Sequence, residues 1–181
     1  MISLQNIRDL LATSELPELG PGPRAGVETE ATLNRELDAK LKGGGPDKEH
    51  QDLIRALVLL WHDHLDAAHQ IAQQIEGANG AFVHGIMHRR EPDYGNAAYW
   101  FRRVGNHAAY SDLARRAGEL LDAEKESELK KELLPRGEWN VFGFINACER
   151  VAGRSDASET QLLRRIQQIE TETLLESLCG G

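Results

Sequence analysis

Six of the seven histidines lie between residues 61 and 107: His62, His64, His69, His84, His88 and His107. The same stretch carries Asp66, Glu91, two of the three tryptophans and the arginine pairs Arg89–Arg90 and Arg102–Arg103. Neutral imidazoles beside carboxylates are ligands for divalent transition metals, and such a metal can activate water for hydrolysis. Without a metal, a histidine–carboxylate pair can act as a general base, the carboxylate fixing the tautomer. A third possibility is a polar network that locks helices in register. The residue types alone leave all three open.

Spacing narrows the geometry. His62, Asp66 and His69 stand at i, i+4 and i+7, on one face of a helix, and His84 and His88 stand at i and i+4 on another. Between the two arms the tetrapeptide G-A-N-G, residues 77–80, predicts a short turn and an antiparallel return. Counted from its midpoint, His69 is level with His88, Gln73 with His84 and Asp66 with Glu91; each histidine of the level pair is roughly 14 Å from the turn at 1.5 Å per residue. This reading predicts one concave site. Its catalytic candidates are His62, Asp66, His69, His88 and Glu91. Its candidate ligands for a divalent transition metal are His62, His69, His84 and His88. His64, on the other border of the apolar stripe, reads as a core histidine with one hydrogen bond.

The second half of the stretch reads M-H-R-R-E-P-D-Y-G-N-A-A-Y-W-F-R-R-V-G. From residue 84 to 104, four arginines face only Glu91 and Asp93, a local positive excess in a chain of net charge −8. Guanidinium forks suit carboxylates and phosphates, and aromatic rings beside them can stack on a ligand. Arg89, Arg90, Arg102 and Arg103 are therefore candidate ligand-orienting residues, with Asn96, Tyr99 and Trp100 lining the pocket. The expected ligand is a small anionic or polyhydroxy molecule. The competing reading takes Trp100 and Phe101 as core and the arginines as partners of surface acids.

Helices must carry these residues. Apolar spacing is helical nearly everywhere, and no convincing period-2 alternation occurs. Helices are predicted over 2–13, 28–42, 47–76, 81–90, 92–104, 109–133 (as one or two), 138–152 and 158–178. Ile54, Leu57, Val58, Trp61, Leu65, Ala68, Ala72 and Ile75 share one stripe, so 47–76 reads as the long central helix. Residues 14–27, with three prolines and three glycines, and 43–46, G-G-G-P, read as loops. The expectation is one all-α domain over 1–181, an irregular bundle of about seven or eight helices.

Composition excludes several classes. No apolar run approaches the roughly 20 residues of a membrane span, and no secretory signal is visible in the first residues. With 21 basic and 29 acidic residues there is no global footprint for nucleic acid. Two cysteines form neither a disulfide framework nor a zinc knuckle and fit the cytoplasm. The amphipathic helices 28–42 and 158–178 leave a homo-oligomer open.

The words W-H-D-H-L-D-A-A-H-Q-I-A-Q (61–73) and H-G-I-M-H-R-R-E-P-D-Y-G-N-A-A-Y-W-F-R-R-V-G-N-H (84–107) resemble a family of uncharacterised bacterial and fungal proteins. That resemblance implies that the stretch acts as one unit, and it implies no particular reaction. L-L-W-H-D (59–63) is similar to the adjacent His-Asp step of the all-helical HD-type phosphohydrolases, which implies His62 and Asp63 as metal ligands. The H-x-x-x-H of His84 and His88 resembles the later metal-binding element of DinB-like bundles. Three functional readings follow: a helical enzyme, in one form a metal-dependent hydrolase; a non-catalytic ligand-binding or protein-interaction module; and a structural oligomer.

Overall fold

The computed structural model describes residues 4–42, 46–154 and 157–180. Among them the chain is all-α, with ten helices and no strand. They are α1 (Leu4–Arg8), α2 (Glu30–Leu41), α3 (Lys48–Trp61), α4 (Leu65–Ala72), α5 (Ala78–Arg90), α6 (Tyr94–Val104), α7 (Ala109–Ala123), α8 (Ser127–Leu133), α9 (Val141–Arg150) and α10 (Ser158–Gly180). Short 3-10 turns follow α1 and α8. Ile2 of the first predicted helix and the Gly43–Gly45 stop signal lie outside the described residues. No described helix is long and apolar enough to cross a membrane.

The number of helices exceeds the expectation because the predicted long central helix is two and residues 109–133 also form two. α3 ends at Trp61, and the chain re-enters a helix only at Leu65. At the break Asp63 takes a left-handed backbone, φ 67°, which aspartate tolerates better than most residues. The compensation is electrostatic. The Asp63 carboxylate accepts from the Arg24 backbone N–H (2.9 Å) and pairs with the guanidinium groups of Arg24 and Arg90, each at 2.6 Å. The longest helix is instead α10, with 23 residues.

The centre of the bundle is α5. From Gly80 to Arg90 every residue is buried, because α3, α4 and α6 all pack around it. Gly85 sets the approach of α6: a Cβ there would stand 2.5 Å from the Phe101 ring. The hairpin from α4 to α5 returns as expected, although the chain turns at residues 73–77. Gly77, at φ 96°, precedes the first turn of α5, so the G-A-N-G word is mostly helix.

The 12–29 segment is a loop, as the prolines and glycines predict, and it is held by side chains from distant helices. Arg164 donates to the carbonyls of Leu16 and Pro17, Gln167 to Glu18 (3.1 Å), and Arg90 Nε to Gly20 (3.1 Å). α2 then starts on a Thr29 cap, and Leu33, Leu37 and Leu41 face the core.

Candidate functional site

Three imidazoles from the two arms of the hairpin meet. His69 of α4 lies edge-on to His84 and His88 of α5, with ring centroids 5.2 and 5.6 Å away. His84 and His88 are parallel within 11° at 6.0 Å. α6 closes the group from the other side: the Trp100 indole lies flat on His84, 4.1 Å away and tilted by 8°. The Gly85–Phe101 approach brings the two helices close enough for that stack.

Each ring has a different environment. His88 Nδ1 stands 3.0 Å from Glu91 Oε2, and the Asn96 amide nitrogen 3.3 Å from Nε2. Nδ1–H therefore donates to the carboxylate, and Nε2 accepts from the amide. His84 is 2% exposed, and its Nδ1 has no hydrogen-bond partner. Burial, together with the like charge of His69 and His88, pushes its pKa down to about 4. At neutral pH it is an uncharged plate under the indole. His69 is half-buried and makes no side-chain hydrogen bond among the described residues.

Around Trp100 lie the remaining members. The Arg103 guanidinium is 5.5 Å from the Trp100 ring centre and 5.9 Å from that of Tyr99, and Tyr99 is 49% exposed. Arg102 lies over Phe142 of α9 at 6.0 Å, and Phe142 is 41% exposed. Neither arginine has an acidic partner among the described residues, whereas most other arginines of the chain are paired. The geometry thus brings together His69, His84, His88, Glu91, Asn96, Tyr99, Trp100 and Arg103, with Arg102 beside them.

No protein-family model, curated protein or solved structure matches this chain.

Four expected members stand elsewhere. His62 caps the end of α3, where Nε2–H donates to the Leu10 carbonyl (2.7 Å) and Nδ1 accepts from the Glu28 N–H (3.1 Å). Both nitrogens are spent, and burial lowers its pKa, so it is a neutral brace rather than a ligand or base. The break after Trp61 turns it away from His69, which defeats the i, i+7 expectation. Asp66 is exposed on α4 and has no partner among the described residues. Arg89 and Arg90 are sealed inside. Arg89 forms a bidentate pair with Glu170, both fully buried, and lies 4.4 Å over the Phe144 ring. Arg90 pairs with Asp63 and donates to the Leu60 and Gly20 carbonyls. Neither guanidinium is available to an outside ligand.

The expected metal site is not shown. Among the described residues no group of three or more His, Cys, Asp or Glu side chains could hold a metal ion. His84 and His88 present nearly parallel rings, 6.0 Å apart between centres. Asp63, the second member of the His-Asp step, is occupied by two arginines. Of the other histidines, His64 Nε2 donates to the Glu28 carbonyl at 2.8 Å, the single bond expected of it, though the ring is only half-buried. His107 accepts from the Ala109 N–H and donates to Asn79 Oδ1, a brace at the start of α7.

Proposed function

We propose that the α4–α5–α6 face binds a small anionic or polyhydroxy molecule and offers it acid–base groups. The observation that carries this reading is the pairing of an unneutralised cation with a stacked aromatic platform. Arg103 stands beside Trp100 and Tyr99 without a carboxylate partner, and Trp100 rests on the neutral His84. A guanidinium supplies a fork for an oxyanion, and the rings supply a face for the rest of the ligand. His69, with free ring nitrogens at the edge of the group, is the residue suited to accept a proton, while Glu91 and Asn96 fix His88 in one tautomer.

A ligand screen by thermal shift, with inorganic phosphate and gluconate as first probes, tests the reading. Arg103→Ala should abolish the shift, and a bound ligand should move the ring resonances of His69 and Trp100. If no anionic or polyhydroxy probe changes either signal, the reading is wrong. The exposed Tyr99, beside Arg103, and Phe142, under Arg102, favour a second reading, a protein-interaction surface. The thiols of Cys148 and Cys179, both free, suit a reducing compartment, and we assign the protein to the cytoplasm on that ground.

A further inference from the structure

Among the described residues two large apolar side chains are left exposed, Tyr99 of α6 and Phe142 of α9. Each lies beneath an arginine of α6. Arg102 lies over the Phe142 ring at 6.0 Å, and Arg103 over the Tyr99 ring at 5.9 Å. Both arginines are exposed, and neither has a carboxylate partner among the described residues. A cation–ring contact engages the face of a guanidinium and leaves its N–H donors, which lie in the plane, free to bond. The surface thus offers two forks and two rings together.

The local sequence keeps acids away from this pair. α6, Y-G-N-A-A-Y-W-F-R-R-V, contains no carboxylate. The acids nearest to Phe142 in sequence, Glu138 and Glu149, engage neither guanidinium. By contrast, the exposed Arg115 and Arg150 are each held by two carboxylates. In a chain of net charge −8, Arg102 and Arg103 are cations that the fold leaves unneutralised. Tyrosine, phenylalanine and arginine are enriched where proteins meet, and lysine, glutamate and aspartate, depleted there, are missing from this group.

The charges decide the occupant. A second copy meeting the first across a two-fold axis would bring the same arginines against one another. A nucleic acid strand binds by neutralising many phosphates, and two free cations on an acidic chain supply little of that. A protein segment rich in Asp and Glu answers both parts of the surface. Its carboxylates match the guanidinium forks, and one aromatic or long aliphatic side chain covers the exposed rings.

We propose that this α6–α9 surface docks an acidic segment of a partner protein, its carboxylates on Arg102 and Arg103 and an apolar side chain against Tyr99 and Phe142. The proposal rests on the second reading above, a protein-interaction surface, and names its partner. The test pans a library of random peptides against the full chain and measures the selected peptides by calorimetry. They should carry several Asp or Glu residues with an aromatic or leucine, and they should bind more weakly as salt is raised. Arg102→Glu should weaken them about tenfold or more, and Phe142→Ser about three- to fivefold, with the helical circular dichroism of both variants unchanged. Selected peptides that are basic or uncharged overturn the proposal and leave the surface reading standing. An empty selection, or affinity that survives both substitutions, overturns both. Tighter binding of oligothymidylate than of the acidic peptides, or a native dimer that Arg102→Glu dissociates, gives the surface another occupant and overturns the proposal.

Discussion

Acid should weaken this protein through His84. In the unfolded chain its imidazole titrates near the ordinary value of about 6.5. In the fold, burial first and then the like charge of His69 and His88 bring it down to about 4. Between these two values the unfolded chain binds a proton that the native state does not. The stability this group contributes is complete above about pH 6.5 and is lost as pH falls towards 4. The difference of roughly 2.5 pH units, at about 1.36 kcal/mol each, amounts to about 3 kcal/mol. Burial shifts His62 and His107 in the same direction, so they steepen the same loss. The assay is urea unfolding at a series of pH values on the native protein and on His84→Gln. The substitution lowers stability at every pH, but its curve should fall less steeply on the acid side, by about 3 kcal/mol over the window. Parallel curves would refute the reasoning. So would a His84 ring resonance that titrates near the ordinary value instead of staying neutral down to about pH 4.

Other outcomes follow from particular contacts. Glu170→Ala leaves the Arg89 guanidinium buried and uncompensated, and should cost about 3–5 kcal/mol by chemical denaturation. Arg115→Ala, on an exposed pair, should leave the denaturation midpoint nearly unchanged. Asp63→Asn keeps a residue that tolerates the left-handed backbone but removes the charge shared by Arg24 and Arg90. It should lower stability by about 3 kcal/mol, and limited proteolysis should then cut first within residues 12–29. Gly85→Ala forces a methyl into the Phe101 ring and should cost about 1–3 kcal/mol, with a change in Trp100 fluorescence as α6 is pushed from α5.

The helical class and the α4–α5 hairpin were legible because apolar spacing and a short glycine-bounded turn report them directly. Residue counting across that hairpin put His69 level with His88; its equally close approach to His84 comes from the structure. The break at His62–His64 was not legible. Neither Gly nor Pro marks it, and its cause is an aspartate whose two partners lie 39 and 27 positions away. One local irregularity then rotated His62 out of the group. Arg89 and Arg90 misled for a related reason. An arginine read alone is a surface or ligand-binding residue, and only Glu170 of α10 and Asp63 of the α3–α4 break make its burial tolerable. α5 misled as a whole: it is enclosed on all sides, yet its histidines and arginines give it the sequence of a partly wet helix.

The grip of α10 on the loop near the N-terminus has a consequence for how the chain acquires its shape. Arg164 and Gln167 find their carbonyl partners 147 to 149 positions upstream. On the ribosome those partners are made well before the 23 residues of α10 and must wait for them. Until then Arg89, too, has no counter-charge. A nascent chain stalled before that point holds most of its helices and little of its closure, the kind of intermediate that chaperones retain.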